Sequence, residues 1–315
     1  MISRRRFLGY SAALSTSAWL APRSLFGQEE AKEPEMVLKA RATMATAKIT
    51  TQKLRGGISV LLGSGGNIAV LIGPEGKLLV DSGISTSQPQ ITEALAAISP
   101  DPIQHLVNTH WHYDHTDGNL WLHSAGATIV AHERTLRRLS SPQVIPIFNA
   151  TFPAQPAAAL PTKTFTDTEL LKVNGATLEL SHYDPAHTDT DIAVHFTDAD
   201  ILHAGDTWFS AGYPFIDYAT GGHIDGMIRA TKRNLAVGTE STIVIPGHGP
   251  VGDKKGLSET LDMLTAIRDK VGALKRQGKT VEEAVAAKPT AQFDDKWGKG
   301  FVNPEMFVRL VYQGV

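Results

Sequence analysis

Four residues within six positions, His110, His112, Asp114 and His115, carry imidazole and carboxylate groups at alternating spacing. Such donors suit a divalent cation of borderline softness, and a cation held with an open coordination position activates water. Ile103 to Thr109, with Leu106 and Val107 at its centre, reads as a buried strand that ends at this run. Gly118 to Ala125 reads as a short helix with Asp117 as its cap. The donors therefore fall on a strand-to-helix loop. In extended chain, residues 110, 112 and 114 project to one side, and the turn that opens the helix swings His115 in another direction. One loop can thus serve two adjacent cations.

Three further donors each follow a strand-like run. His187 comes after Ala176 to His182 and the loop Tyr183-Asp184-Pro185-Ala186. Asp206 comes after Ile201-Leu202-His203-Ala204-Gly205, where a glycine lets the backbone approach a neighbour closely. His248 sits in the bend Pro246-Gly247-His248-Gly249-Pro250 after Ile243 to Ile245. Alone, each is more often an ordinary hydrogen-bonded residue. Beside the first run they read as ligands.

On these segments the chain resembles the metallo-β-lactamase superfamily. The resemblance is carried by Thr109-His110-x-His112-x-Asp114-His115, Ala186-His187-Thr188, Gly205-Asp206-Thr207 and Pro246-Gly247-His248-Gly249, across roughly residues 45 to 275. It implies an α/β fold, a four-layer αβ/βα sandwich of two mixed β-sheets flanked by helices. Ile58 to Leu62, Ile68 to Ile72 and Leu78 to Val80 match its opening strands.

The resemblance also implies that His110, His112 and His187 hold one metal, that Asp114, His115 and His248 hold the other, and that Asp206 bridges them. Two Zn²⁺ ions suit the set, with iron or manganese as alternatives. Metals ~3.5–4 Å apart clamp a water and lower its pKa from about 15.7 toward ~7. The hydroxide would attack a carbonyl while Asp114, as the catalytic carboxylate, orients it or carries a proton.

Asp206 resembles the glyoxalase-II-like, lactonase-like and arylsulfatase-like branches, which favours an ester, thioester or lactone substrate. A chain without cysteine cannot belong to the cysteine-containing β-lactamase subclasses, which leaves a subclass-B3-like β-lactamase as the alternative hydrolase. Outside hydrolysis, the alternatives are a mononuclear iron persulfide-dioxygenase-like enzyme and a non-catalytic periplasmic accessory protein.

Two aspartates are candidates for supporting the ligands from behind. Asp81 stands where the family places an aspartate after an early strand, and it reads equally as a turn residue. Asp191, in Thr188-Asp189-Thr190-Asp191 where relatives carry Gly-Ser, could hold the free ring nitrogen of a ligand histidine or simply start the strand Ile192 to Phe196.

The stretch Thr207 to Tyr218 reads as a loop whose Trp208, Phe209, Tyr213 and Phe215 wall a pocket for an apolar or aromatic group, with a loop pinned to the core as the other reading. His223, before a helix from Met227 to Val237, could reach substrate or cap that helix. Trp111 and Tyr113 read as packing groups that point away from the metals.

At the amino terminus, Ser3-Arg4-Arg5-Arg6-Phe7-Leu8 resembles a twin-arginine export motif. Residues 1–27 are expected to be the signal peptide, 28–44 a mobile mature terminus, and 45–315 a catalytic domain with a C-terminal helical cap. Export places the enzyme in the periplasm or outside the cell. The apolar stretch Gly9 to Ala21 falls short of the ~20 residues a permanent anchor needs.

A hydrophobic content of 42% with 20% charged residues fits a globular enzyme. The formal net charge of −2, more acidic once four arginines leave with the signal, excludes nucleic acid as a partner and leaves a small molecule. Ser140 to Thr168 is expected to run over the surface near the site. Gly256 to Gln277 has the apolar spacing of a helix covering a sheet. The C-terminal tail would serve pocket closure or a homodimer contact.

Overall fold

A computed structural model describes residues 33–315. The expected signal segment lies outside the described residues. Among them, no helix is long and apolar enough to cross a membrane.

Two sheets carry the architecture. The first orders Thr50–Lys53, Ile58–Leu62, Ile68–Leu71, Lys77–Val80, Ile103–Val107, Thr128–His132 and Lys163–Phe165 side by side. Its early strands pair antiparallel and its later ones parallel. The second orders Thr168–Val173, Ala176–His182, Ile192–Phe196, Ile201–His203, Ile243–Ile245 and Gly252–Asp253, with one parallel pair between Ile201–His203 and Ile243–Ile245.

Strand alternation explains how near-continuous apolar runs fill both faces. Ile58, Val60, Leu78, Val80 and Val107 point between the sheets to meet Leu178, Leu180, Val194 and Ile201. Their neighbours Leu61, Leu79 and Leu106 point outward under Ile91 and Leu95 of the helix Gln88–Ile98. On the far side, Leu202 and Val244 pack beneath the helices Ile224–Ala236, Lys254–Arg276 and Pro304–Gln313 through Met227, Leu264, Ile267 and Phe307. The result is the expected four-layer αβ/βα sandwich.

Several local expectations change. The segment expected to be mobile up to residue 44 is helical from Glu35 to Met44. It is tied down by tertiary contacts, with Val37 buried and Arg41 forking onto Asp117 at 2.6 and 3.0 Å. Asp117 is therefore not the N-cap of the following helix. Its carboxylate is occupied by Arg41 and by the backbone N–H and hydroxyl of Ser85, and Gly118 stands at the cap of Asn119–Ser124. Ser140 to Thr168 runs beside the site as expected, and within it Gln143–Ile145 pairs with Ala150–Phe152 in a small hairpin.

Candidate metal centre

Parallel pairing sets the location of the site. Lys77–Val80, Ile103–Val107 and Thr128–His132 run in the same direction, and so do Ile201–His203 and Ile243–Ile245. The loops after these strands emerge along one edge of the sandwich and bring residues from distant parts of the chain together. His110, His112, His187 and Asp206 offer donor atoms within 4.8 Å of one another, and Asp114, His115 and His248 form a second group on the same criterion. His115 separates from His112 because a helical turn begins at Tyr113.

Asp206 joins the two groups. Its Oδ2 lies 3.4 Å from His187 Nε2, 3.8 Å from His110 Nε2 and 3.5 Å from His248 Nε2, and its Oδ1 lies 3.2 Å from His115 Nε2. Backbone crowding makes this position possible. Gly205 has φ +51° and a Cβ there would meet that of Thr109 at 2.9 Å, while a Cβ on Gly247 would collide with Asp206 Oδ1.

Three of the histidines are held through the nitrogen that does not face the centre. His115 Nδ1 donates to Asp81 Oδ2 at 2.7 Å, and Asp81 also accepts the Thr109 N–H and hydroxyl, both at 2.7 Å. Asp81 itself adopts φ +66°. His187 Nδ1 donates to the Phe215 carbonyl at 2.7 Å. His112 is held at Nε2 by Asp217 Oδ2 at 3.1 Å, which leaves Nδ1 facing His187 Nε2 at 2.8 Å. Such partners fix the tautomer and ring direction of metal-binding imidazoles.

Asp191 does not reach a ring nitrogen. It accepts the backbone N–H groups of His187 and Thr188 at 2.7 and 2.9 Å and so shapes the loop rather than the imidazole. Burial pushes its carboxyl up to about 7. Asp217, absent from the sequence reading, does the work assigned to Asp191. Nothing local marks it, because it meets His112 across more than a hundred residues of chain.

The electrostatics and the hydrogen-bond inventory suit cations. Burial alone would raise the Asp206 carboxyl, but the surrounding imidazoles, His115 and His248 foremost, hold it well below its ordinary value. Burial lowers His187 to about 4 and lowers His110 as well, while at His115 and His248 the carboxylates Asp206 and Asp114 outweigh burial and raise both, His248 to about 9, so these two would release their protons to a bound cation. His110 Nε2 and Asp206 Oδ1 are buried and in no hydrogen bond, so atoms that cannot go unpartnered without cost point at the same space. The donor set, imidazoles with carboxylates at two adjoining positions, fits a pair of borderline divalent cations.

A cavity of about 340 Å³ opens onto these groups. Phe209, Tyr213 and Phe215 line it, as expected. Trp208 and His223 do not. After the turn at Gly205–Thr207 the chain is extended, so Phe209 faces the cavity and Trp208 points the opposite way into the core, where its Nε1 donates to Thr260 at 3.0 Å. His223 caps Ile224–Ala236 by accepting the Asp225 N–H. Trp111 is a packing group, buried with its Nε1 on Thr220, whereas Tyr113 lines the cavity rather than pointing away, because the helix starts one residue earlier than alternation would continue. Met36, Ile145, Phe148, Phe152 and Phe301 complete the wall.

The fold and the centre define an αββα metal-binding protein. A sequence model of the Metallo-beta-lactamase superfamily matches residues 62–261, and the chain belongs to that superfamily. It is 29% identical over 160 residues to a hydroxyacylglutathione hydrolase from Polaromonas sp., a match covering 50% of this chain and 52% of the relative. The chain thus spans about half the length of that curated relative. Among solved structures it is similar to a metallo-beta-lactamase from Pontibacter korlensis, with TM-score 0.58, 20% identity, and 69% and 99% of the two chains covered. It is also similar to the sec-alkylsulfatase Pisa1 from Pseudomonas sp., with TM-score 0.65, 17% identity, and 90% and 53% covered.

Proposed function

We propose that this chain is a metal-dependent hydrolase that holds two divalent cations, zinc in preference to iron or manganese, and cleaves an ester, thioester or lactone. His110, His112 and His187 would hold one cation, Asp114, His115 and His248 the other, and Asp206 both. Cations bound there supply Lewis acidity and a water acidified from a pKa of about 15.7 toward ~7. The position of Asp206 between the two donor groups carries the reading.

The protein's own groups do the rest. Asp114 is the ionised carboxylate with access to the cavity: burial opposes its ionisation, and His115 and His248 outweigh that. It lies 3.2 Å from His248 Nε2, placed to orient the attacking water and to pass a proton to the leaving group. The aromatic wall excludes bulk water and fixes the approach of the carbonyl. The Polaromonas relative is named as a hydrolase of hydroxyacylglutathione, which supports a hydrolytic reading.

The test is purification with metal analysis, followed by a panel of aryl esters, lactones, thioesters, phosphoesters and nitrocefin. Turnover of a carboxylic ester, thioester or lactone above the rest is expected. Exclusive turnover of phosphoesters or nitrocefin would overturn the reading. We also propose twin-arginine export, supported by Ser3-Arg4-Arg5-Arg6-Phe7-Leu8. Replacing Arg4 and Arg5 by lysine should trap the protein in the cytoplasm, and unchanged export would contradict it.

A further inference from the structure

We propose that the substrate is uncharged away from its reacting bond and bears an aromatic or bulky apolar group, which a ladder of phenylalanines receives. This rests on the hydrolytic reading above. The ladder begins at the mouth with Phe301, a phenylalanine 70% exposed to solvent. Its ring centroid is 5.7 Å from that of Phe148, Phe148 is 4.9 Å from Phe215, and Phe215 is 6.0 Å from His187 and 6.1 Å from His112. Each step is an aromatic contact distance, so an apolar surface runs unbroken from solvent to the histidines. Across the cavity, Phe152 stacks on Tyr113 at 5.9 Å beside Asp114.

Away from the cations the centre would hold, the cavity wall has no counter-charge for an anion. Among the described residues that line it there is no lysine or arginine, and its ionisable side chains are those of the centre with Tyr113 and Tyr213. A carboxylate remote from the scissile bond would lose its water and find no cation on the wall, which weakens its binding. An apolar ring would instead remove phenylalanine surface from water. An exposed large aromatic at the mouth of a concave apolar site is what a ligand-binding surface looks like. The volume, about 340 Å³, is enough to receive an aromatic ring together with its reacting group.

The experiment compares three esters with the same scissile bond: a neutral aryl ester, its analogue with a carboxylate meta on the ring, and a short alkyl ester. Binding of the unreactive ether analogue of each aryl ester to the metal-loaded protein is measured in parallel by calorimetry. The proposal expects kcat/KM and affinity for the neutral aryl compound to exceed those for the carboxylated one by roughly tenfold or more. Phe148→Ala and Phe301→Ser should each lower kcat/KM on the aryl ester more than on the alkyl ester. Because Phe301 is exposed, its substitution tests the ladder even where loss of Phe148 disturbs folding. Phe301→Lys should shift the ratio several-fold toward the carboxylated ester.

Equal or tighter binding of the carboxylated ether, or an unchanged ratio in Phe301→Lys, would overturn the proposal. Failure to turn over any of the three esters, with the thioesters and lactones of the panel also untouched, would instead remove the hydrolytic reading, and the ether affinities would still decide whether the cavity selects neutral aromatic ligands.

Discussion

Asp81, Asp114, Asp206 and Asp217 are four carboxylates in one site, and their neighbours separate their work. Asp206 faces donors of both groups, Asp114 faces the cavity, and Asp81 and Asp217 each hold the far nitrogen of an imidazole. Asp114→Ala should lower kcat at least about 100-fold, the scale of a lost acid–base group, while the circular dichroism spectrum stays that of the native protein. Retained turnover would show that Asp114 is not the proton carrier. Asp217→Asn should cost roughly 10–100-fold in metal affinity or activity, as for other groups that orient ligands. A variant indistinguishable from the parent in zinc titration would remove Asp217 from the centre's support. The residues that gather at the centre were legible in the sequence because strands end at that edge and the motifs there are short and local. Asp217 and Tyr113 were not, since tertiary distance and the residue at which a helix begins decide their roles. Trp208 could have been read correctly: alternation after Gly205 already sends Phe209 and Trp208 to opposite sides.

Two elements tie the site to the rest of the fold. The helix Glu35–Met44 supplies Met36 to the cavity wall and is fastened by Arg41 to Asp117, two residues beyond His115. Arg41→Ala should destabilise the protein by about 1–3 kcal/mol, between the ranges for exposed and fully buried pairs, with faster amide exchange concentrated in residues 35–44. Uniform exchange would show that the helix is held by other contacts. The sequence did not reveal this helix because its apolar residues carry little helical periodicity and its partner lies far along the chain.

The strands Thr128–His132 and Ala176–His182, one from each sheet, end in histidines stacked 3.7 Å apart and nearly parallel. Burial, with the neighbouring His182 adding to it, lowers His132 to about 4, and burial lowers His182 also. The unfolded value is near 6.5, so the unfolded chain takes up protons first. Stability is therefore intact above about pH 6.5 and is lost as pH falls through about 4, by roughly 2–3 kcal/mol from His132. Urea unfolding at pH 7 and 4.5 should show a larger drop for the parent than for His182→Gln. Equal drops would show that the pair does not sense acid.

The sandwich places ligands from both sheets on one edge, with the second sheet giving His187, Asp206 and His248 and the first giving the rest. Cations held there would staple the two sheets together, so chelation should lower the melting temperature by several degrees and added zinc should restore it. The four layers followed from the family resemblance that the short donor motifs carry, and the apolar runs marked individual strands such as Ile58–Leu62 and Ile192–Phe196; the order of the strands within each sheet was seen only in the structure. The shape of the cavity did not, because its wall is assembled from the N-terminal helix, the Gln143–Phe152 hairpin, the loop after Asp206 and the chain near Phe301. The central claim, that seven side chains from four segments hold two cations, is tested most directly by counting zinc bound per chain at saturation. Two equivalents are predicted, and one or none would contradict the account.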